Sequence, residues 1–302
     1  MPSGIKKDEI MKKPVIVGLG EVLWDVFPEY KRAGGAPANV AFHARQLGNE
    51  GIPASRVGKD ELGKELLDVL TSNGLDISHV QRDDLAPTGT VEVTMTDGEA
   101  SYSIPRDSAW DRLSMTSQWL DLARRADAIC FGTLAQRDDI SRRTIREFLA
   151  QAPASCLKIA DINLRPPHYS KEIIEASLNL ADVVKLNESE WKEIRRTFGV
   201  DDLARWLFSE KNVRVICLTK GGDGAELITP DAHLIEPVHP IEDSNGDSVG
   251  VGDAFTAALT HHLLRESPLD VAVSAANRYA AQVFARKGAT PKLPEAVIAA
   301  VR

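Results

Sequence analysis

Asp247-Ser248-Val249-Gly250-Val251-Gly252-Asp253-Ala254-Phe255 runs directly into an apolar stretch, residues 254–264, with helical spacing. Two glycines at the mouth of a helix let successive backbone amides converge, and the helix dipole adds partial positive charge there. Gly250, Val251 and Gly252 can therefore form an anion hole. Asp253 lies in it, where a carboxylate could take a proton from a hydroxyl while the amides hold an incoming phosphoryl group. The plainer alternative is an Asp in the first turn of a helix that follows a flexible loop.

Other residues have the same double character. Gly34-Gly35-Ala36-Pro37-Ala38-Asn39 precedes a second helical segment. Pro37 suits the first turn, the glycines admit a ligand close to the backbone, and Asn39 offers donor and acceptor to sugar hydroxyls. Asp25 could add a bidentate carboxylate. Asn187-Glu188-Ser189-Glu190 follows a strand-length apolar run, where side chains beyond the carboxyl end meet ligands in open α/β sheets. Asn187 and Glu190 could hold hydrated Mg²⁺ through waters, because magnesium sheds water reluctantly. Thr219-Lys220-Gly221-Gly222-Asp223-Gly224 also follows a strand, and its glycines permit close passage of phosphates or a nucleoside. Arg165, in Asp161-Ile162-Asn163-Leu164-Arg165, is a natural phosphate fork. Each has an ordinary turn or cap reading as well.

Several look-alikes fail on inspection. Gly58 to Lys64 matches a phosphate-binding loop until its last position, where Glu65 replaces the magnesium-binding hydroxyl, so a polar helix start is expected. Gly18-Leu19-Gly20 lacks the third glycine of a dinucleotide fingerprint, having Leu23 there. Asp243-Ser244-Asn245-Gly246-Asp247 opens like a calcium loop, but Ser248 and Ala254 stand at its sixth and twelfth positions. His261 and His262, adjacent on a helix, point in different directions and should be structural.

The elements that position these residues alternate. Strand-length runs at 15–19, 52–57, 128–132, 157–162, 183–186 and 213–219 are separated by helical patterns at 38–47, 61–72, 140–149, 203–208, 254–264 and 270–284. That alternation predicts an α/β fold with a mostly parallel sheet. Residues 88–104 break the rhythm with period-2 alternation around Asp97-Gly98, which predicts a hairpin. Together with 22–27 it should form a small separate sheet. Val91, Val93 and Met95 would share one apolar face that needs a cover, and a second subunit could supply it.

Composition sets the limits. Across 302 residues, 36 Lys+Arg against 44 Asp+Glu leave a net charge of -8, which excludes a bulk basic surface for nucleic acid or an anionic membrane. The three cysteines, Cys130, Cys156 and Cys217, sit in apolar stretches and read as reduced core residues. No apolar run approaches the ~18 residues of a membrane span, and the first thirteen residues carry no secretory core, so a cytoplasmic protein with a frayed tail at 1–13 is expected.

Taken together, these motifs give a chain that resembles the ribokinase-like sugar kinases of the PfkB family, most closely the bacterial fructokinases. The glycine signature Gly34-Gly35-Ala36-Pro37-Ala38-Asn39-Val40-Ala41 and the signature Asp247 to Phe255 carry the resemblance, with Asn187, Glu190 and the 219–224 glycines between them. It implies a three-layer α/β/α core (14–21, 34–86 and 109–302), a β-sheet lid (22–33 and 87–108), ATP as phosphoryl donor, Mg²⁺, and D-fructose as the expected sugar, bound between lid and core. Asp253 would be the base and Gly250, Val251 and Gly252 the anion hole. Asp25, Gly34, Gly35, Asn39, Arg106 and Arg165 would meet the sugar or its phosphate, and Asn187, Thr219, Gly221, Gly224 and Asn277 the nucleotide. Relatives often place K⁺ among carbonyls matching Asp247, Val249, Val283, Arg286 and Gly288, but Lys292 stands where a small hydroxyl residue completes that site, which puts potassium in doubt. A homodimer through the lid is the expected assembly. Ribose, 2-keto-3-deoxygluconate or a nucleoside are the alternative substrates, and a non-catalytic sensor on the same fold is the alternative of another class.

Overall fold

The computed structural model describes residues 12–96, 99–241 and 246–302. In chain order the strands are β1 (Val15–Leu19), β2 (Leu23–Val26), β3 (Lys31–Gly34), β4 (Glu50–Gly58), β5 (Val80–Asp83), β6 (Gly89–Thr96), β7 (Glu99–Ser103), β8 (Ala128–Phe131), β9 (Leu157–Asp161), β10 (Val183–Asn187), β11 (Val215–Thr219), β12 (Ala225–Ile228) and β13 (His233–Glu236). The helices are α1 (Ala36–Gln46), α2 (Glu61–Ser72), α3 (Ser117–Arg125), α4 (Asp139–Gln151), α5 (Lys171–Leu180), α6 (Glu188–Phe198), α7 (Leu203–Glu210), α8 (Val251–Leu263), α9 (Leu269–Phe284) and α10 (Glu295–Ala299).

The main sheet runs β13-β12-β11-β10-β9-β8-β1-β4-β5. All its pairs are parallel except the β11–β12–β13 end, which is antiparallel. β1 shows why the molecule has three layers. Val15, Val17 and Leu19 face a core built with Trp119 and Leu122 of α3 and Phe148 of α4, whereas Ile16 packs against Val40 and Ala44 of α1 and Ala257 of α8. A strand buried on both faces reads as a continuous apolar run, and Val-Ile-Val-Gly-Leu is one.

The second sheet, β3-β2-β6-β7, stands apart, with β2 parallel to β6 and antiparallel to β3. It is bolted to the core at α2. Trp24 Nε1 donates to the Leu62 carbonyl at 2.9 Å. Asp60 caps α2 by accepting the Gly63 amide at 2.7 Å, and also accepts the Thr88 amide and hydroxyl at 2.8 and 2.6 Å. The polar helix start expected at Gly58–Lys64 is therefore found. Val91 is buried within the chain beside Leu23, Ile104 and Trp110, so part of the apolar face finds its cover without a second subunit. The side chains of Val93 and Met95, the turn at Asp97-Gly98, Asp243 to Asn245 and the tail up to residue 11 lie outside the described residues.

The cysteines and the adjacent histidines take the structural roles expected of them. Cys130, Cys156 and Cys217 are buried free thiols, pushed up to about 12 by burial. His261 Nδ1 meets Asn49 Nδ2 at 3.0 Å and His262 Nε2 meets the Val301 carbonyl at 2.7 Å, both as structural contacts. Among the described residues no helix is long and apolar enough to cross a membrane.

Candidate active site

The carboxyl ends of β1, β9, β10 and β11 open on one side of the sheet, and the first turns of α1 and α8 converge there. α8 begins at Val251, three residues earlier than its apolar pattern suggests, because Gly250 takes a left-handed φ of 73° and turns the chain into the helix. A Cβ at Gly250 would also lie 2.6 Å from the Ala289 backbone. Glycine is required on both counts. The Val251 amide turns back towards the Ser248 carbonyl at 3.4 Å.

Asp253 Oδ2 accepts a 2.7 Å hydrogen bond from Asn39 Nδ2, which joins the two glycine signatures across 214 residues of sequence. Asp253 keeps some surface open, yet the surrounding protein desolvates the carboxyl and pushes its pKa up to about 6. Asp161 adds to the rise, while Asn39, Lys185 and Arg165 oppose it. A base poised near the working pH, with the amides of a helix start beside it, is suited to accept a hydroxyl proton as an anion arrives.

α1 starts where it does because of Gly35, whose φ is 107° and whose Cβ would lie 2.4 Å from the Glu21 carbonyl. At Gly34 a Cβ would lie 2.4 Å from Asp25 Oδ2. The glycine pair thus lets the β2 end, with Asp25, close on the start of α1. Burial pushes Asp25 up to about 6, against Arg165 and Arg32. Arg165 is exposed at this mouth, within electrostatic reach of Asp25, Glu21 and Asp253. Arg106 is exposed near the end of the small sheet.

A family model for pfkB carbohydrate kinases matches residues 20–296, spanning both glycine signatures. This chain belongs to the pfkB family of carbohydrate kinases. Fructokinase-1 of Zea mays is 28% identical over 309 residues, covering 93% of this chain and 95% of that protein. A Pyrococcus horikoshii sugar kinase solved in complex with ATP superposes with a TM-score of 0.80 at 28% identity, over 91% of this chain and 94% of that one. The Xylella fastidiosa fructokinase with bound ATP has the same fold, with a TM-score of 0.85 at 22% identity over 95% and 97% of the two chains. The protein is an ATP-dependent sugar kinase.

In this kinase, Asn187 and Glu190 form a capping box at α6. Asn187 Oδ1 accepts the Glu190 amide at 2.9 Å, and Glu190 Oε2 accepts the Asn187 amide at 2.8 Å. Glu190 Oε1 accepts the Leu164 amide at 2.9 Å. Among the described residues no group of three or more acidic, His or Cys side chains could hold a metal directly. A carboxylate and an amide oxygen that already hold backbone amides fit Mg²⁺ only through its waters. Thr219 ends β11 beside them. Gly224 has φ 91° and a Cβ there would lie 2.0 Å from the Glu236 carbonyl, so packing against the end of β13 dictates this glycine whatever binds nearby. Asn277 uses its side chain on the same segment, donating to the Pro237 carbonyl at 2.6 Å and accepting the His239 amide at 3.3 Å.

The residues expected around a monovalent cation do converge. The Asp247 amide donates to the Arg286 carbonyl at 3.3 Å, and the Asp247 carboxylate accepts the Gly288 amide at 3.2 Å and the Val249 amide at 3.1 Å. The Val283 and Arg286 carbonyls already accept the Arg286 and Asp247 amides, and Lys292 is exposed.

Three further residues border the site. Glu21 is buried behind the α1 start, its Oε2 without a hydrogen-bond partner among the described residues and its pKa pushed up to about 7 by burial, with Asp253 adding to the rise. Lys185 forms a buried ion pair with Asp161 under α8. Arg32, on β3, pairs with Asp247 at 2.9 Å and ties the small sheet to the loop that leads into α8. A Gly-Glu pair after the first strand was the available signal for Glu21. Nothing local marks the other two, because their partners are distant in sequence.

Proposed function

We propose that this kinase transfers the γ-phosphate of ATP to a hydroxyl of D-fructose, with Asp253 as the base. The observation that carries the reading is the Asn39–Asp253 hydrogen bond, which unites the sugar-side signature and the anion-hole signature in one site. Asp253 takes the hydroxyl proton as the oxygen attacks the γ-phosphorus, the bond from that phosphorus to the β,γ-bridging oxygen breaks, and ADP leaves. The Gly250 and Gly252 amides face the charge that develops on the phosphoryl oxygens, and Arg165 reaches the same mouth. Phosphoryl transfer depends on this positioning and charge stabilisation more than on covalent chemistry. Mg²⁺, held through waters by Asn187 and Glu190, would neutralise phosphate charge. Asp25, Gly34, Gly35, Asn39 and Arg106 form the sugar side, and Thr219, Gly221, Gly224 and Asn277 the nucleotide side. Residues 22–33 and 87–108 act as the lid over the remaining core.

Fructose is favoured by the maize relative, a fructokinase similar over 93% of this chain. A homodimer through the lid is supported by β7, which pairs only with β6 among the described residues and so presents an open edge. The test of the base is Asp253→Asn. The variant should fold and bind sugar with kcat lowered at least ~100-fold, whereas near-wild-type turnover would remove Asp253 from the reaction.

A further inference from the structure

Lys185 and Asp161 are direct partners in the β9–β10 register. Lys185 Nζ lies 3.1 Å from both carboxylate oxygens of Asp161, and both side chains are about nine-tenths buried. The pair sits directly beneath the start of α8. Thr256 Oγ1 lies 3.1 Å from Asp161 Oδ2 and 2.9 Å from the Gly252 carbonyl, and a Cβ on Gly252 would be only 2.9 Å from Lys185 Nζ. The ammonium therefore rests against the glycine of the anion hole, in space that any larger residue there would need. A buried ion pair adds little net stability, since desolvation offsets its attraction and an apolar pair of like volume often serves the fold as well. Its value here should be sought in what its two charges do to their neighbours.

We propose that Asp161 and Lys185 are the positioning couple of the transfer site, with the Lys185 ammonium supporting the Gly252 end of the anion hole and the Asp161 carboxylate, through Thr256, fixing the first turn of α8 that carries Asp253. The proposal rests on Asp253 being the base. The groups facing Asp253 are Asn39 from α1, Asp161 from β9, Lys185 from β10, Arg165 from the loop after β9 and Glu21 from the loop after β1. Of the couple, Asp161 favours the protonated base and Lys185 the ionised base, so the two pull Asp253 in opposite directions.

That opposition supplies the test. The acid limb of kcat/KM is measured for wild type, Asp161→Asn, Lys185→Met, the double variant and Asp253→Asn. Removing the Asp161 charge should move the limb to lower pH and removing the Lys185 charge should move it to higher pH, each by about one unit. The double variant leaves no unpaired buried charge, and its limb should return near wild type. It should also lose about tenfold or more in kcat with the KM values for sugar and ATP unchanged, because the ammonium under Gly252 is gone. Limbs that stay in place or move together in folded single variants would overturn the proposal, as would a double variant with wild-type kcat. If the single variants do not fold, the kcat and KM of the double variant decide. Near-wild-type turnover by Asp253→Asn would instead overturn the reading of the base, independently of the couple.

Discussion

Asp253 and Glu21 are carboxyls whose burial works against ionisation, and they respond to pH in different ways. Asp253 must be ionised to accept a proton, so with its pKa near 6 the kinase should lose kcat/KM as pH falls through about 6. A pH–rate profile under saturating Mg²⁺ checks this, and a flat profile down to pH 5 would contradict it. Glu21 affects stability. Its pKa is raised from 4.5 to about 7, so the folded state holds its proton more tightly than the unfolded chain does. The stability linked to that proton is fully present below about 4.5 and is lost as pH rises through about 7. Glu21→Gln keeps the shape without the charge. Its melting temperature relative to wild type should rise between pH 5 and pH 8, by a difference on the order of 3 kcal/mol in stability. A constant difference across that range would show that Glu21 finds solvation the buried, unpartnered Oε2 does not indicate.

The glycines at the helix starts govern the elements. Gly35→Ala would place a Cβ 2.4 Å from the Glu21 carbonyl at a φ of 107°. It should lower stability by about 2 kcal/mol or more and weaken sugar binding, because α1 can no longer start beside Asp25. Chemical denaturation and sugar titration of the variant measure both effects. At α6, Asn187→Ala removes the N-cap acceptor of the Glu190 amide and should cost about 1 kcal/mol. It should also raise the Mg²⁺ concentration needed for half-maximal rate, and an unchanged Mg²⁺ titration would leave Asn187 as a cap alone. These elements were unequally visible in the sequence. β1 and α2 were legible to the residue, because a doubly buried strand is continuously apolar and Asp60 marks a helix start. α3, α5 and α6 were not: in α6, Glu-Ser-Glu-Trp-Lys-Glu-Ile-Arg-Arg-Thr-Phe, only Trp191, Ile194 and Phe198 form the apolar stripe, and six charged residues surround them. The β12–β13 hairpin also passed unnoticed, since its strands are four residues each. Within the site, Gly250 to Asp253, Asn39 and Asp25 were visible as motifs, whereas the Lys185–Asp161 and Arg32–Asp247 pairs exist only once the chain is folded.

At the scale of the molecule, the small sheet is fastened to the core through Asp60 and Thr88 at α2, through Arg137 to the Ile104 carbonyl after β7, and through Arg32 and Asp247 at the loop before α8. As the proposed lid, this sheet should close over a sugar as a unit. Amide exchange in β2 and β6 should slow when sugar binds, and exchange indifferent to sugar and ATP would contradict a lid. Light scattering at micromolar concentration should report twice the chain mass if β7 edges pair between two copies. The central claim, that this fold transfers phosphate from ATP to fructose, is tested most directly by sugar-dependent ADP release across fructose, ribose, 2-keto-3-deoxygluconate, glucose and adenosine. Release should require the acceptor and be fastest with fructose. Release independent of any acceptor, or fastest with another member of the panel, would contradict it.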